Sequence, residues 1–339
     1  YSAKAVTGQL MALDGAASEK VYTDLITTPG AVLPYFVVFT GLTIFISARG
    51  LQGGIEKAVK FMMPALFVLL VAMVLYSAFI GDFAAALRFL FEPDFSKINS
   101  KIVLAALGTA FFSVSVGMTN MMAYGSYLDK SANLPRSAAI VAVADTSVAV
   151  LAGLAIFPIV FMAGIEPAGE GGLAFISLPV ALGQIPGGSV IGTMFFVLLF
   201  FAALTSSISM LEPPVSWFRD GLGMSRRNAA LTAGSIAFVL SLLGVLSFSV
   251  LSDLHPLGNI ELFEGKTIHM LFVYIVTQVL MPAGGVLIAI FAGWFVKRQF
   301  SSDELYGGAE PVVYRIWLFI MRFVAPVLLS LVLWDVATK

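Results

Sequence analysis

The sequence lacks cysteine altogether, and it carries few charges and few histidines for its 339 residues. The absence of cysteine excludes disulfides and thiolate metal sites. Two histidines, His255 and His269, are too few to form a histidine metal site. Charged residues make up 12% of the chain, about half the share of a typical soluble protein. The formal net charge of −1 leaves no electrostatic footprint for nucleic acid.

Signals of enzymes are also missing from the sequence. The run "EGKT" at 264–267 resembles the end of a phosphate-binding loop, but the pattern requires a glycine where the chain has Ile260. No nucleophile stands beside a base in the sequence, so we predict that the protein is not an enzyme. The chain opens with "YSAKAVTGQL", and we expect that an N-terminal part of the protein precedes it.

The sequence is rich in long apolar runs, and 59% of its residues are hydrophobic, including 29 Phe and 14 Met. Several runs are long enough to cross about 30 Å of hydrocarbon, and they are too long and evenly apolar for barrel strands. We therefore predict an all-α, polytopic helical membrane protein with a single transmembrane domain over residues 1–339. The eight predicted spans are 33–48, 61–80, 102–128, 137–164, 188–218, 229–250, 268–296 and 313–334.

The distribution of Lys and Arg predicts the orientation of these spans, because cytoplasmic loops carry the excess of positive charge. Alternate loops form a denser and a sparser set, and we predict that the denser set is cytoplasmic and that both chain ends lie outside. The denser set holds Arg49, Lys57, Lys60, Lys130, Arg136, Arg219, Arg226, Arg227, Lys297, Arg298 and Arg315. The sparser set holds Lys4, Lys20, Arg88, Lys97, Lys101, Lys266 and Lys339.

The loop 165–187 contains the stretch "LAFISLPVALGQI", which is apolar enough to be buried but too short to cross a bilayer. A re-entrant segment or one that covers a vestibule fits this stretch better than a free loop.

Asp145 is the most informative residue, because it lies in a run that otherwise resembles a membrane-spanning helix. A carboxylate near the bilayer centre costs at least ~2.5–3.5 kcal/mol on insertion scales, so a cation, a proton or water must offset it. An intramembrane acid is therefore a candidate functional residue. The alternative is a protonated acid that bonds a neighbouring helix.

The predicted span 102–128 is interrupted by a cluster of small and polar residues between Ser113 and Asn120. One interpretation is a helix broken at mid-membrane, which exposes backbone groups to ions and substrate. The other is close helix packing through small side chains. Periodicity alone slightly favours packing.

The predicted span 188–218 places Ala202, Thr205 and Ser206 at i, i+3 and i+4, hence on one helix face. The Ala202 carbonyl and the two hydroxyls would form an uncharged oxygen cluster suited to a small hard cation. The alternative is hydroxyls bonded to carbonyls of their own helix, which is common. Asp145, Ser113 and Thr205 would all lie deep in their spans. Glu212, beside two prolines, is interpreted as a structural residue that caps freed backbone groups.

Several phrases in order resemble the neurotransmitter:sodium symporter family, specifically its bacterial amino-acid transporter branch. They are "RGLQGGIEKAVKFMMPALF", "FFSVSVGM", "YGSYL", "ADTSVAVLAGLAIFP", "FISLPVALGQIPGG" and "FFAALTSSISMLE", and they cover most of 33–220. The resemblance implies a LeuT-type inverted-repeat fold, truncated at the N-terminus, with the spans corresponding to family helices four to eleven. The first two helices and most of the third would be absent.

The resemblance also implies the ligands. Ser113 and Asp145 resemble side-chain ligands of one sodium ion, and Ala202, Thr205 and Ser206 resemble ligands of a second. Both sodium sites would be incomplete in this chain, because the first family helix supplies much of each. The residues that resemble substrate-binding positions are Phe112, Ser113, Ser115, Met118, Ser206 and Met210, with Phe112 as an aromatic lid.

Two departures from the family pattern stand out. Val273 occupies about the place of an outer-gate acid, which puts the outer salt bridge in doubt, and "MTN" at 118–120 is more polar than expected. Asp145 replaces a neutral Asn found in many members, and its fixed negative charge predicts independence of chloride.

The sequence thus predicts sodium-coupled symport of a small hydrophobic amino acid across the inner membrane, by alternating access of a multi-pass carrier. The rival hypotheses are a proton-coupled carrier on the same fold, with Asp145 as the proton site, and a sensor or subunit that does not transport. Expected partners are the amino acid and the lipid bilayer. The oligomeric state does not follow from the sequence.

Overall fold

The computed structural model describes residues 1–10, 13–129, 131–165 and 172–337, and within them the chain is helical with no β-strand. Lys130, Lys339 and residues 166–171 of the loop 165–187 lie outside the described residues. The α-helices are α1 Ser2–Val6, α2 Gly15–Thr27, α3 Pro29–Ala48, α4 Glu56–Ile80, α5 Phe83–Phe91, α6 Ser100–Ser113, α7 Asn120–Gly125, α8 Leu134–Met162, α9 Leu178–Gly183, α10 Gly188–Leu222, α11 Arg226–Leu246, α12 Ile268–Val273, α13 Met281–Ile290, α14 Arg298–Tyr306, α15 Val312–Phe319 and α16 Ala325–Ala337.

Wider π-helical turns join several of these helices, so that α12, for example, continues into α13. They lie at Leu51–Ile55, Leu173–Ser177, Tyr274–Leu280, Phe291–Phe295 and Ile320–Val324. Short 3₁₀ turns lie at Phe95–Lys97 and Glu261–Phe263.

Helices long and apolar enough to cross a membrane number seven in the described part of the chain. They match seven of the eight predicted spans, and the fold class predicted from the sequence is confirmed. The eighth predicted span, 102–128, is instead two shorter helices, α6 and α7.

The chain divides into two compact units, Tyr1–Pro93 with Ser147–Leu254, and Asp94–Thr146 with His255–Lys339. In the first unit, the long helix α10 packs against α1, α3, α4, α9 and α11. Its largest core cluster includes Met73, Ile159, Leu178 and Leu182, which are almost completely buried. In the second unit, α13 packs mainly against α16, and α6 contacts both.

A proline inside α8 connects that helix to α4 and α5 in the first unit. Pro158 has no N–H, so the carbonyl of Leu154 loses its usual helical donor. The hydroxyl of Ser77 donates to that carbonyl at 2.7 Å, and the carbonyl of Pro158 accepts from the backbone N–H of Asp82 at 2.9 Å. The backbone groups at the proline are therefore satisfied by neighbouring elements.

The apolar stretch after residue 171 is a short helical segment, and it is buried as the sequence predicted. Its re-entrant course or its role in covering a vestibule stays a prediction. Its π-helical turn Leu173–Ser177 leads into α9, whose Leu178, Ala181 and Leu182 are fully buried. The segment packs against α2 and α10 within the first unit. Its two short helices are too short to cross a bilayer.

Glu212 has a different partner from the one expected of it. Its side chain is fully buried, and its two oxygens accept from the guanidinium of Arg226 at 2.5 and 2.6 Å. Arg226 also donates to the carbonyl of Ser47 at 3.0 Å. Glu212 thus joins α3, α10 and α11 through its ion pair with Arg226. The sequence had suggested a different structural role, the capping of backbone groups freed by the neighbouring prolines.

Candidate ion and substrate sites

The break between α6 and α7 has an unusual backbone. Ser115, Gly117 and Thr119 all have positive φ, at 55°, 92° and 61°. A left-handed conformation costs a residue other than glycine about 1–2 kcal/mol, and such strain concentrates at functional sites. Within the described residues, the carbonyls of Val114 and Gly117 accept no backbone hydrogen bond. The helix is broken here, as one of the two interpretations expected, and carbonyl oxygens are released at the break. The exposure of these oxygens to ions and substrate stays a prediction.

The same break also packs closely against α13, as the second interpretation, close helix packing through small side chains, expected. A Cβ added to Gly117 would lie 2.4 Å from the carbonyl oxygen of Met281, and one added to Gly284 would lie 2.5 Å from the carbonyl oxygen of Gly117. Only glycine allows this approach. Packing of the small residues therefore fixes the position of the broken segment.

Ser113 ends α6, and its hydroxyl lies 2.8 and 2.7 Å from the two carboxylate oxygens of Asp145 on α8. Asp145 is about 16 Å along α8 from its first residue, Leu134, so the acid is deep in a helix long enough to span a membrane. The structure brings these two predicted ligands together. A single carboxylate with a hydroxyl provides hard oxygen donors and one negative charge, which suits a monovalent cation.

The face of α10 with Ala202, Thr205 and Ser206 is part of an unbroken helix in the first unit. The hydroxyl of Thr205 lies 3.0 Å from the carbonyl oxygen of Ala202 and 2.9 Å from that of Phe201. The hydroxyl thus bonds carbonyls of its own helix, which was the alternative to a cation site. It also brings two of the predicted ligand oxygens next to each other, while Ser206 is exposed.

The predicted substrate residues fall in different units. Phe112, Ser113, Ser115 and Met118 belong to the second unit, whereas Ser206 and Met210 belong to the first. Phe112 and Met210 are about half exposed, at 49% and 47%. Their role in binding substrate stays a prediction.

A cleft of about 640 Å³ lies within the second unit, between α6, the turn Tyr274–Leu280, α13 and α16. Apolar side chains dominate its wall, which includes Phe112. Its polar groups come from Lys101, Thr109, Tyr274, Thr277 and Gln278.

The two departures from the family pattern have different outcomes. Thr119 takes a left-handed conformation at the start of α7, and Asn120 is buried there, so the polar run belongs to the backbone break. Val273 ends α12 and is half exposed. That Val273 stands in about the place of an outer-gate acid, so that the outer salt bridge is missing, stays a prediction.

The sequence reasoning missed Arg322, a cation within the apolar helix Val312–Trp334. A scan for charged residues inside predicted spans would have found it, as it found Asp145.

The chain is similar to known proteins over almost its whole length. A sequence model of the Sodium:neurotransmitter symporter family matches residues 18–338. An uncharacterized sodium-dependent transporter of Bacillus subtilis, YhdH, is 36% identical over 334 residues, which are 98% of this chain and 72% of that protein. An uncharacterized sodium-dependent transporter of Haemophilus influenzae is 33% identical over 90% of this chain and 65% of that protein.

A solved structure is also similar. The crystal structure of MhsT in complex with L-phenylalanine superposes with a TM-score of 0.85 at 37% sequence identity. The match covers 99% of this chain and 75% of that one.

Proposed function

Because the chain belongs to the sodium:neurotransmitter symporter family, we propose that its protein carries a small hydrophobic amino acid across the inner membrane together with sodium. The family is one of sodium-coupled transporters and not of enzymes. The chain is a multi-pass membrane chain with seven apolar helices in its described residues. The proposal comprises the substrate, the ion sites and alternating access.

The contact between Ser113 and Asp145 carries the proposal. A carboxylate deep in a membrane span requires compensation, and the hydroxyl alone is uncharged. Sodium at this pair would neutralise the charge and take hard oxygen ligands. The freed carbonyl of Val114 directly follows Ser113, so a further oxygen donor lies close to it in sequence. The carbonyl oxygen of Gly117 instead faces Gly284 on α13.

A second sodium site would use the carbonyl of Ala202 and the hydroxyls of Thr205 and Ser206. In support, the first two oxygens are 3.0 Å apart. A cation there would compete with the hydrogen bond of Thr205 to its own helix, so the hydroxyl would turn a lone pair to the ion.

The substrate contacts in this proposal are Phe112, Ser113, Ser115, Met118, Ser206 and Met210. Methionine is flexible and apolar, which suits a hydrophobic side chain. MhsT, at 37% identity, binds L-phenylalanine in its crystal structure, and this supports an amino acid as substrate. Sodium raises substrate affinity if both ligands favour the same conformation, and substrate then raises sodium affinity equally.

Independence of chloride is part of the same proposal. Asp145 places a fixed negative charge beside the first sodium site, so no mobile anion is needed for charge balance. Replacing chloride with gluconate should leave uptake unchanged in the wild-type protein and lower it in Asp145→Asn.

The test is binding of radiolabelled hydrophobic amino acids to the purified full-length protein, over a range of sodium concentrations with choline as the replacement cation. Ser113→Ala removes one oxygen ligand of the sodium ion, a contact comparable to a hydrogen bond to a charged group, which is worth about 1.5–3 kcal/mol. The apparent sodium affinity should therefore fall roughly tenfold or more. Asp145→Asn should lower it at least as much.

The matched control is Thr146→Val, next to Asp145 on α8, whose hydroxyl bonds the carbonyl of Ala142 in its own helix. It should change sodium affinity by less than about twofold. Equal binding in choline and sodium would contradict the symport proposal. Uptake driven by a proton gradient without sodium would favour the proton-coupled carrier.

A further inference from the structure

Arg322 lies inside a helix that is otherwise apolar. The helix Val312–Trp334 is long and apolar enough to cross a membrane, and Arg322 is about 15 Å along it from Val312. An arginine in such a position costs about 2.5–3.5 kcal/mol on insertion scales unless it has a partner. Its environment therefore requires an explanation.

The contacts of Arg322 lie on the neighbouring helix of the same unit. Its Nε donates to the carbonyl of Gly293 at 2.6 Å, and its guanidinium carbon lies 5.5 Å from the ring centre of Trp294. The indole N–H of Trp294 donates in return to the carbonyl of Arg322 at 3.2 Å. Two π-helical turns, Phe291–Phe295 and Ile320–Val324, meet at this point.

The carbonyl of Gly293 belongs to the last turn of its helix, which ends at Phe295. Carbonyls of a last helical turn have no intrahelical donor, and a cation there is favourable for the helix dipole. A Cβ at Gly293 would lie 3.0 Å from Cγ of Arg322 and 3.1 Å from the backbone of Met321. Glycine thus allows the arginine to approach this helix end.

One hydrogen bond satisfies only part of the guanidinium. In the described residues, no carboxylate lies within ion-pair distance of Arg322, and neither Nη group has a hydrogen-bond partner. Guanidinium has five N–H donors in a planar fork. Four of them are left for a ligand.

Arg322 lies near the middle of its own helix, but its side chain reaches the last turn of the neighbouring helix. The residues around that helix end resemble the border of a membrane. Trp294 is 56% exposed, and the nearby aromatic side chains Phe295, Phe319 and Phe323 are exposed as well. Lys297 lies two residues beyond the helix end at Phe295, and Arg298, next to it, is paired with Glu310 at 2.5 Å. Exposed aromatic rings next to cationic residues are typical of the membrane interface, where the phosphates of lipids lie.

We propose that Arg322, supported by Gly293 and Trp294, binds the phosphate of an anionic membrane phospholipid. The free face of the guanidinium fits two phosphate oxygens in a bidentate manner. The exposed aromatic rings would contact the upper part of the acyl chains. Basic pockets between membrane helices bind anionic lipid head groups by this combination of charge and apolar surface.

The experiment is native mass spectrometry of the purified full-length protein, released from detergent that contains equal amounts of phosphatidylglycerol and phosphatidylcholine. The wild-type protein should retain phosphatidylglycerol preferentially. Arg322→Gln should reduce bound phosphatidylglycerol roughly tenfold, the effect of losing charge-assisted hydrogen bonds. Arg322→Lys keeps the charge without the planar fork and should give an intermediate loss.

The matched control is Arg315→Gln, the same change two helical turns away on an exposed arginine of the same helix. It should reduce phosphatidylglycerol by less than about twofold. A second variant, Gly293→Ala, displaces the arginine without removing its charge, and should also lower lipid retention. It keeps the proposal testable if Arg322→Gln does not fold.

Four outcomes would overturn the proposal. Equal lipid loss in Arg322→Gln and Arg315→Gln would indicate unspecific charge. A lower thermal midpoint with unchanged lipid retention would make Arg322 only a link between helices. Displacement of phosphatidylglycerol by millimolar inorganic phosphate would assign the site to a soluble anion. A change of oligomeric state in Arg322→Gln, without lipid loss, would indicate a carboxylate of a second copy.

Discussion

The hydroxyl of Ser77 replaces the hydrogen-bond donor that Pro158 lacks, and this exchange can be tested by mutation. Ser77 is fully buried in α4, and it donates to the carbonyl of Leu154 at 2.7 Å. Removing the hydroxyl in Ser77→Ala leaves the part-buried carbonyl of Leu154 without this donor. Such a group costs about 1–3 kcal/mol, so we expect the free energy of unfolding to fall by that amount.

The compensating change is Pro158→Ala, which returns a backbone N–H to α8. Alanine at 158 can donate to the carbonyl of Leu154 within the helix, so the hydroxyl of Ser77 becomes dispensable. Ser77→Ala should therefore cost less than about 0.5 kcal/mol in the Pro158→Ala background. Pro158→Ala has a cost of its own, since the proline is buried, but the comparison between backgrounds removes it.

The assay is unfolding of the four proteins by increasing fractions of denaturing detergent in mixed micelles, followed by tryptophan fluorescence. Thr193→Val is the matched control, because that hydroxyl bonds a carbonyl four residues back in its own helix at 2.7 Å. Helix geometry already supplies that carbonyl with a backbone donor, so the variant should stay within about 0.5 kcal/mol. The same cost for Ser77→Ala in both backgrounds would refute the reasoning.

Two further changes probe the first and the second unit in the same assay. Arg226→Leu leaves the buried carboxylate of Glu212 without its cation and should lower the free energy of unfolding by about 3–5 kcal/mol. The control Arg227→Leu, at an exposed neighbouring residue, should change the free energy of unfolding by less than about 0.5 kcal/mol. Similar effects of the two variants would argue against the ion pair. Gly117→Ala combines a φ of 92° with a Cβ 2.4 Å from a carbonyl oxygen and should cost more than about 2 kcal/mol. The control Gly108→Ala changes a helical position where an added Cβ has no neighbour within 4 Å, and it should stabilise the protein by about 0.5–1 kcal/mol. Equal losses of stability at both glycines would contradict the close packing of the break against α13.

The features that sequence reasoning placed correctly are those set by residues near each other in the chain. Hydropathy over about twenty residues defines a membrane span, so the seven long helices were predictable. The run from Ser113 to Asn120 combines small and polar residues, and this local composition indicated either a break in the helix or close packing, with periodicity slightly favouring packing. The buried helical segment after residue 171 was predictable for the same reason, because its apolar length is too short to cross a bilayer.

The contacts between helices were not predictable in this way. Glu212 and Arg226 are close in sequence, but the prolines beside Glu212 suggested backbone capping, and only the packing of α10 against α11 revealed the ion pair. Arg322 and Gly293 meet because two π-helical turns coincide, and neither turn has a distinctive residue pattern. Sequence reasoning could list charged residues inside spans but could not pair them.

The sequence by itself determined that this chain is a helical membrane protein, where its spans lie, and that an acid is placed deep inside one of them. The resemblance implied that Ser113 and Asp145 share a sodium ion, although nothing in the residue pattern itself brings them together. Only the tertiary structure placed the carboxylate of Asp145 at hydrogen-bond distance from the hydroxyl of Ser113, 32 residues earlier, and decided that the break after Ser113 is held by glycines against α13. The physical reason is that apolar transfer energy is summed along each helix, whereas side-chain contacts depend on the rotation and approach of helices that come together only on folding.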